Sequence, residues 1–228
     1  MIMNRRLLPV VELASVLLTL SVIVGFRRLF EDDSYIGPLL VVALVTHGLA
    51  ISLRRARRGL AVTAGATLGA LVVLITMQHY RDTAWLVFPT STTREALRFD
   101  LRTAWDTFGE VAAPTEVLTG FLVFASIGIW LCAFLVDWAA FRLGSKIEAL
   151  LPVAALFGFQ AVVGGERGRI VSAICFGAAA VFFVLAHRVA GLERDARWLD
   201  DDDGAGSTAL LRGGAVVSIV AVLVGLGI

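Results

Sequence analysis

Residues 78–116 read QHYRDTAWLVFPTSTTREALRFDLRTAWDTFGEVAAPTE, and they form the only long stretch of this chain that a lipid bilayer would exclude. Three apolar segments precede this stretch and four follow it. The 228 residues are 58% hydrophobic, whereas soluble domains are about 45–50% apolar. The sequence therefore predicts an all-α fold: a polytopic transmembrane helix bundle of about seven spans, with the lipid bilayer as its partner.

The apolar segments are long enough to cross a hydrocarbon core of about 30 Å. Together they form a single transmembrane domain over residues 1–228. No small-x-small cleavage pattern precedes Arg27, so the first segment is predicted to be an uncleaved span and not a signal peptide. The predicted spans are residues 7–26, 36–53, 59–77, 117–136, 147–163, 170–186 and 210–228, with an extracytoplasmic loop at 78–116 and a flexible, acidic, cytoplasmic linker at 187–209.

Basic residues predict the orientation. Arg54, Arg55, Arg57 and Arg58 form the densest basic cluster, and short loops rich in Arg and Lys remain in the cytoplasm. This places the N-terminus in the cytoplasm, and seven spans then place Ile228 outside. Nineteen of the twenty basic residues are Arg, which is typical of GC-rich bacterial genes. We therefore predict a multi-pass protein of the bacterial cytoplasmic membrane that either ends at the outer surface or is the front part of a longer protein.

The long loop is then extracytoplasmic and contains an amphipathic helix from Thr92 to Phe108. Thr92 and Glu95 fit a T-x-x-E capping box at its start. Two positions are open for this helix: flat in the outer headgroup layer, which is the default for such a helix beside a membrane, or packed on the bundle as a lid. Its apolar face recurs at helical spacing and contains Leu97, Leu101, Ala104, Trp105 and Phe108.

Four ionisable residues at the predicted spans or their ends are candidates for a functional or structural role. Glu12 either pairs with Arg5 or Arg6 near the headgroups or makes a polar contact inside the bundle. His47 is either a neutral, hydrogen-bonded packing residue or part of a proton or ligand pathway. The other two, Asp137 and Arg142, flank the aromatic residues Trp138 and Phe141 at the predicted inner interface.

Several classes of function are excluded. A net charge of +1 is too small for the concentrated basic face that nucleic-acid binding needs. No metal, nucleotide or phosphate motif stands out, so no cofactor is predicted. Cys132 and Cys175 lie in apolar segments without cationic neighbours and are predicted to be buried, unreactive thiols. The chain itself is therefore predicted not to be an enzyme.

Three stretches resemble a known family. They are residues 12–20, residues 95–102, and the run 137–143 followed by 148–152. The whole chain resembles the N-terminal membrane region of bacterial transglutaminase-like membrane proteins, the TgpA N-terminal domain, with the greatest likeness to actinobacterial members. The resemblance implies that an extracytoplasmic domain with a Cys, His and Asp triad follows this region, and that none of the triad lies within it.

Two classes of function remain open. The leading hypothesis is a membrane anchor or scaffold for an extracytoplasmic transglutaminase-like domain, or for another cell-envelope partner. The alternative is a stand-alone transporter or lipid-handling protein that uses Glu12, His47 and the amphipathic loop as a pathway. A scaffold without any catalytic partner needs the same physical features as an anchor, so the sequence does not distinguish a scaffold from an anchor.

Overall fold

The computed structural model describes residues 7–195 and 204–226, which form helices and no β-strand. Single-turn helices follow α1 and α3, and a π-helical turn, Trp138–Leu143, extends α5. Gly144 then adopts a φ of +71°, which reverses the chain before α6. The eight α-helices are α1 (Leu8–Gly25), α2 (Ile36–Arg55), α3 (Leu60–His79), α4 (Ser91–Phe108), α5 (Thr119–Asp137), α6 (Lys146–Val163), α7 (Arg169–Asp195) and α8 (Gly204–Leu226).

Six of these helices are long and apolar enough to cross a membrane: α1, α2, α3, α5, α6 and α7. They match the first six predicted spans in order, which confirms the all-helical class. Because many apolar side chains on α3, α6 and α7 are exposed, these helices present surfaces that suit lipid better than water.

The helices alternate in direction, so the bundle has two distinct ends. The start of α1 meets the ends of α2 and α5 through Glu12, Arg54 and Asp137, and we call this the Arg54 end. The end of α1 meets the end of α6, where Arg28 donates hydrogen bonds to the carbonyl oxygens of residues 161, 164 and 165. We call this opposite end the α4 end, because α4 lies there.

Helix α8 packs antiparallel to α7. Ser218 donates a hydrogen bond to the carbonyl oxygen of Ala178, and Cys175 donates one to that of Ala221. A Cβ on Gly225 would lie 2.8 Å from a methyl group of Val24, near the end of α1. The apolar segment of α8 for which side chains are described is Gly214–Gly225, which is shorter than a full span. The predicted seventh span at 210–228 thus remains a prediction.

The predicted linker at 187–209 is partly helical. Helix α7 continues to Asp195 and α8 begins at Gly204, so both helices extend beyond the span boundaries predicted at 186 and 210, which remain predictions. Hydropathy marks where a helix leaves apolar surroundings, whereas the backbone hydrogen bonds of the helix continue until a residue or contact ends them. The acidic run at residues 200–203 lies outside the described residues.

Helix α4 begins one residue earlier than predicted and has a different cap. The side chain of Thr90 accepts a hydrogen bond from the backbone N–H of Thr93, and the side chain of Thr93 accepts one from the backbone N–H of Thr90. The predicted box of Thr92 and Glu95 is therefore wrong. Both threonine hydroxyls also donate to the carbonyl oxygen of Thr83, so contacts with the preceding turn select the Thr90 cap.

Candidate functional site

Four charged side chains from three helices meet at the Arg54 end. The Nη2 atom of Arg54 in α2 lies 3.0 Å from Glu12 Oε1 in α1 and 3.2 Å from Asp137 Oδ1 in α5. Arg55 donates a hydrogen bond to the other carboxylate oxygen of Glu12. Glu12 and Asp137 are only 5% and 2% exposed. The cluster therefore balances two buried carboxylates with two guanidinium groups and connects α1, α2 and α5.

Arg54 has a third favourable contact. Its guanidinium carbon lies 3.8 Å from the centre of the Phe141 ring, in the π-helical turn after α5. A guanidinium over an aromatic face gains a cation–π attraction that strengthens when water is excluded. The ion pairs and this ring together fix the plane of the guanidinium, which a lysine ammonium could not reproduce.

Glu12 thus pairs with arginines from another helix. Arg5 and Arg6, the partners considered from the sequence, lie outside the described residues. From the sequence, Arg54 and Arg55 are assigned only to a cytoplasmic loop. In a bundle of alternating helices, however, a residue near the start of one span lies at the same depth as a residue at the end of the next. Glu12 and Arg54 are such a pair. That shared depth was the available clue to this pairing.

Arg142 lies beside the cluster and connects it to α3. Its Nη2 atom is 2.8 Å from the hydroxyl of Thr63 and 3.1 Å from the carbonyl oxygen of Arg58. Asp137 and Arg142, which are close in sequence, therefore act on different helices, α2 and α3. Together they attach the end of α5 to both.

His47 is fully enclosed between α1 and α2. Its Nε2 atom lies 2.9 Å from the hydroxyl of Thr19, which also lies 3.3 Å from the carbonyl oxygen of Ser15. Glu12, Ser15 and Thr19 follow each other at helical spacing and all are buried. A row of polar side chains therefore extends from the ion cluster into the apolar interior.

Replacing Thr19 with valine should lower the free energy of unfolding by about 1–3 kcal/mol, because it leaves a buried imidazole nitrogen without its hydrogen-bond partner. Denaturant unfolding in detergent micelles, followed by circular dichroism, measures the change. Thr67→Val is the matched control, since the Thr67 hydroxyl is equally buried but bonds only to a carbonyl oxygen of its own helix. Equal losses in the two variants would contradict a specific role for the pair of Thr19 and His47.

Helix α4 packs on the first turn of α5 at the opposite end. A Cβ on Gly120 would lie 2.6 Å from Ala104 Cβ and would overlap the carbonyl oxygen of Asp100. On the other side, the hydroxyl of Tyr80 donates a 2.7 Å hydrogen bond to the Asp100 carboxylate. Helix α4 is therefore in direct contact with the bundle, as the lid alternative requires. The alternative position, flat in the headgroup layer, stays a prediction.

The predicted apolar face of α4 has two environments. Leu97 and Leu101 are half-buried against the bundle, beside the buried Ala104. Trp105 is 73% exposed and Phe108 is half-exposed, although the ring of Phe108 stacks on Phe159 of α6 at 6.2 Å. The first part of the helix thus packs on α5, whereas its end reaches α6.

An apolar cavity of about 330 Å³ opens beneath the end of α4. Fifteen residues line it, from α4, α5, α6, the single-turn helix after α1 and the loops beside these helices. Fourteen of them are apolar or aromatic, and Thr115 is the exception. Neither the cavity nor its lining was predicted from the sequence. It arises where aromatic side chains at the ends of three helices meet α4. A local sequence pattern cannot predict such a contact between distant residues.

The two tyrosines of the chain, Tyr35 and Tyr80, lie at this end, just outside α2 and α3. Burial raises the pKa of both phenols, and for Tyr80 the hydrogen bond to Asp100 raises the pKa further. Because the folded state favours the protonated phenols, their contribution to stability is complete below the unfolded pKa of about 10 and is lost as pH rises above it.

The phenolate absorbance of the intact protein should therefore remain low at pH values where free tyrosine is already ionised. Titration with denaturant present should restore an ordinary curve, and Tyr80→Phe should remove half of the total amplitude, since only two tyrosines exist. Ordinary titration of both phenols in the folded protein would show that neither is buried as described.

No catalytic or metal-binding arrangement is found among the described residues. Cys132 and Cys175 are buried and free, inside α5 and α7. Within residues 7–195 and 204–226, no group of three His, Cys, Asp or Glu side chains is placed to hold a metal ion. The arrangement described here suits helix packing and contact with apolar molecules.

Six helices of membrane length, with an ion cluster at one end and an apolar cavity at the other, define an all-helical domain of membrane-protein type. The chain belongs to the family of the TgpA N-terminal domain, which matches residues 17–228. This confirms the family resemblance; the actinobacterial origin remains a prediction. The family's domain is a non-catalytic region of a transglutaminase-like protein. Comparison with curated proteins and with solved structures finds no significant match.

Proposed function

We propose that this chain is the membrane anchor and scaffold of an extracytoplasmic transglutaminase-like domain. Family membership over residues 17–228 is the observation that carries the proposal. The chain supplies the helices that hold such a domain at the membrane, and the chemistry belongs to a Cys, His and Asp triad elsewhere in the parent protein. The protein resides in the bacterial cytoplasmic membrane.

The packing of α8 supports an outer C-terminus. Six crossings from a cytoplasmic N-terminus return the chain to the cytoplasm after α7, so α8 must cross for a following domain to be outside. Its antiparallel contact with α7, and the approach of Gly225 to Val24, support that crossing. Under this topology the Arg54 end is cytoplasmic, in agreement with the basic cluster at residues 54–58.

Reporter fusions test this topology. Alkaline phosphatase fused after Ile228 should be active and GFP there should be dark, whereas GFP fused after Arg58 should fluoresce. An inactive phosphatase and a fluorescent GFP at Ile228 would overturn the proposal. The intact mass of the native protein supplies a second test, because the proposal requires a mass far above 24.4 kDa and a domain with Cys, His and Asp.

A transporter is the second candidate, and the buried polar row of Glu12, Ser15, Thr19 and His47 is the observation that favours it. Proton or solute flux in liposomes that disappears in both Glu12→Gln and His47→Ala would support transport. Unchanged flux would remove it. The arginines bound to Glu12 favour the structural role, since they already neutralise its charge.

A further inference from the structure

The cavity beneath α4 suits an apolar ligand. Its lining offers one hydroxyl, from Thr115, and no charged or amide side chain. A polar ligand would lose its hydrogen bonds to water there without replacing them, which strongly disfavours its binding. A hydrocarbon loses nothing comparable and gains the contact of seven aromatic rings.

The cavity can be reached from the side that faces lipid. Phe124 and Phe159 line it, and both are partly exposed on α5 and α6, two helices of membrane length. Phe124 lies about 7–8 Å along α5 from its first residue, at about 1.5 Å of rise per residue. Phe159 lies one turn before the end of α6. With the start of α5 and the end of α6 at the level of the headgroups, the opening would lie at the depth where acyl chains begin.

The rim carries two arginines. Trp105 of α4 lines the cavity, and Arg98 and Arg102 precede it by seven and three residues. At helical spacing all three lie on neighbouring faces of α4, and both arginines are exposed. Arginines at a membrane surface attract anionic headgroups.

We propose that this cavity binds one acyl chain of an anionic phospholipid, with its headgroup at Arg98 and Arg102. The lipid would enter between α5 and α6, beneath the stacked rings of Phe108 and Phe159. It would join the end of α4 to α5 and α6. This inference requires only that the helices lie in a membrane and does not depend on a catalytic domain.

Native mass spectrometry provides the test. The full chain is reconstituted in nanodiscs of phosphatidylcholine and phosphatidylglycerol, transferred to mild detergent, and examined for retained lipid. We expect the wild-type protein to retain one phospholipid, and Val163→Trp to lose it, because Val163 lines the cavity. Val162→Trp should retain it. Val162 is 85% exposed, is not part of the lining, and is the adjacent residue of the same helix.

A second variant that fills the cavity keeps the test valid if Val163→Trp fails to fold. Val111→Trp enters the cavity from the loop between α4 and α5, so it does not alter helix packing. Circular dichroism confirms that each variant remains folded. Equal retention in Val163→Trp and Val162→Trp would overturn the proposal, because the retained lipid would then be bound elsewhere. Absence of lipid from the wild-type protein would also overturn it and would indicate that protein covers the cavity.

The headgroup is tested separately. With Arg98 and Arg102 both changed to glutamine, the protein should still retain lipid but should lose its preference for phosphatidylglycerol over phosphatidylcholine. An unchanged preference would contradict the role of these arginines. The control changes Arg57 and Arg58 to glutamine, which are exposed at the opposite end of the bundle, and it should keep the preference.

Discussion

Arg54→Met is expected to lower the free energy of unfolding by about 3–5 kcal/mol, the usual cost of removing one partner from a buried ion pair. Methionine fills much of the space, so the loss reflects charge. Asp137 would keep no cation within hydrogen-bond distance among the described residues, and Glu12 would keep only Arg55. Denaturant unfolding in detergent micelles, followed by circular dichroism, measures the loss.

Two further variants distinguish the loss of the Arg54 charge from the loss of its packing contacts. Asp137→Asn combined with Arg54→Met should recover part of the stability, because it removes the carboxylate left without a partner. Arg57→Met is the matched control, since Arg57 is exposed on the same basic cluster and makes no ion pair among the described residues. Losses of the same size in Arg54→Met and Arg57→Met would show that the cluster does not stabilise the bundle.

Gly120→Ala is expected to separate α4 from α5. The new methyl group would overlap the carbonyl oxygen of Asp100, a backbone atom that cannot turn aside, and would lie 2.6 Å from Ala104 Cβ. Overpacking of this kind costs about 1–3 kcal/mol. Such a cost raises the population of undocked α4 by about 5- to 150-fold. Trypsin cleavage after Arg94, Arg98 and Arg102 should accelerate by the same factor, provided that α4 undocks and redocks faster than trypsin cleaves it.

Gly69→Ala is the control for that variant. A Cβ on Gly69, in the middle of α3, would meet nothing within 4 Å, and alanine is the better helix former. Its trypsin cleavage within α4 should match that of the wild-type protein. Unchanged cleavage in Gly120→Ala would show that α4 does not depend on its close approach to α5.

The start of α4 illustrates how far a local motif can be trusted. The spacing of Thr92 and Glu95 fits a capping box, and so does the spacing of Thr90 and Thr93. The structure uses the second pair because the carbonyl oxygen of Thr83 accepts hydrogen bonds from both of its hydroxyls. A motif of two residues cannot contain that information, since the third partner belongs to another turn.

The polar residues of the spans show a similar division. Glu12, His47, Asp137 and Arg142 were recognisable from the sequence, because a charged or titratable side chain within or at the end of an apolar segment is costly unless it has a partner. Shared depth was the only clue to a partner, and it pointed to Arg54 for Glu12 without showing which side chains meet. Arg54 and Thr19 lie on helices whose rotation and contacts depend on the packing of the whole bundle.

By itself, the sequence determined the helical class, the first six apolar helices in order and the amphipathic helix, because each follows from the hydropathy and periodicity of contiguous residues. The family resemblance rested on three particular stretches, residues 12–20, 95–102 and 137–152. Only the tertiary structure decided that Arg54 joins Glu12 to Asp137, that α4 rests on Gly120, and that an apolar cavity opens beside Trp105. These features join residues far apart in the chain, and the rotation of each helix about its axis selects which residues meet.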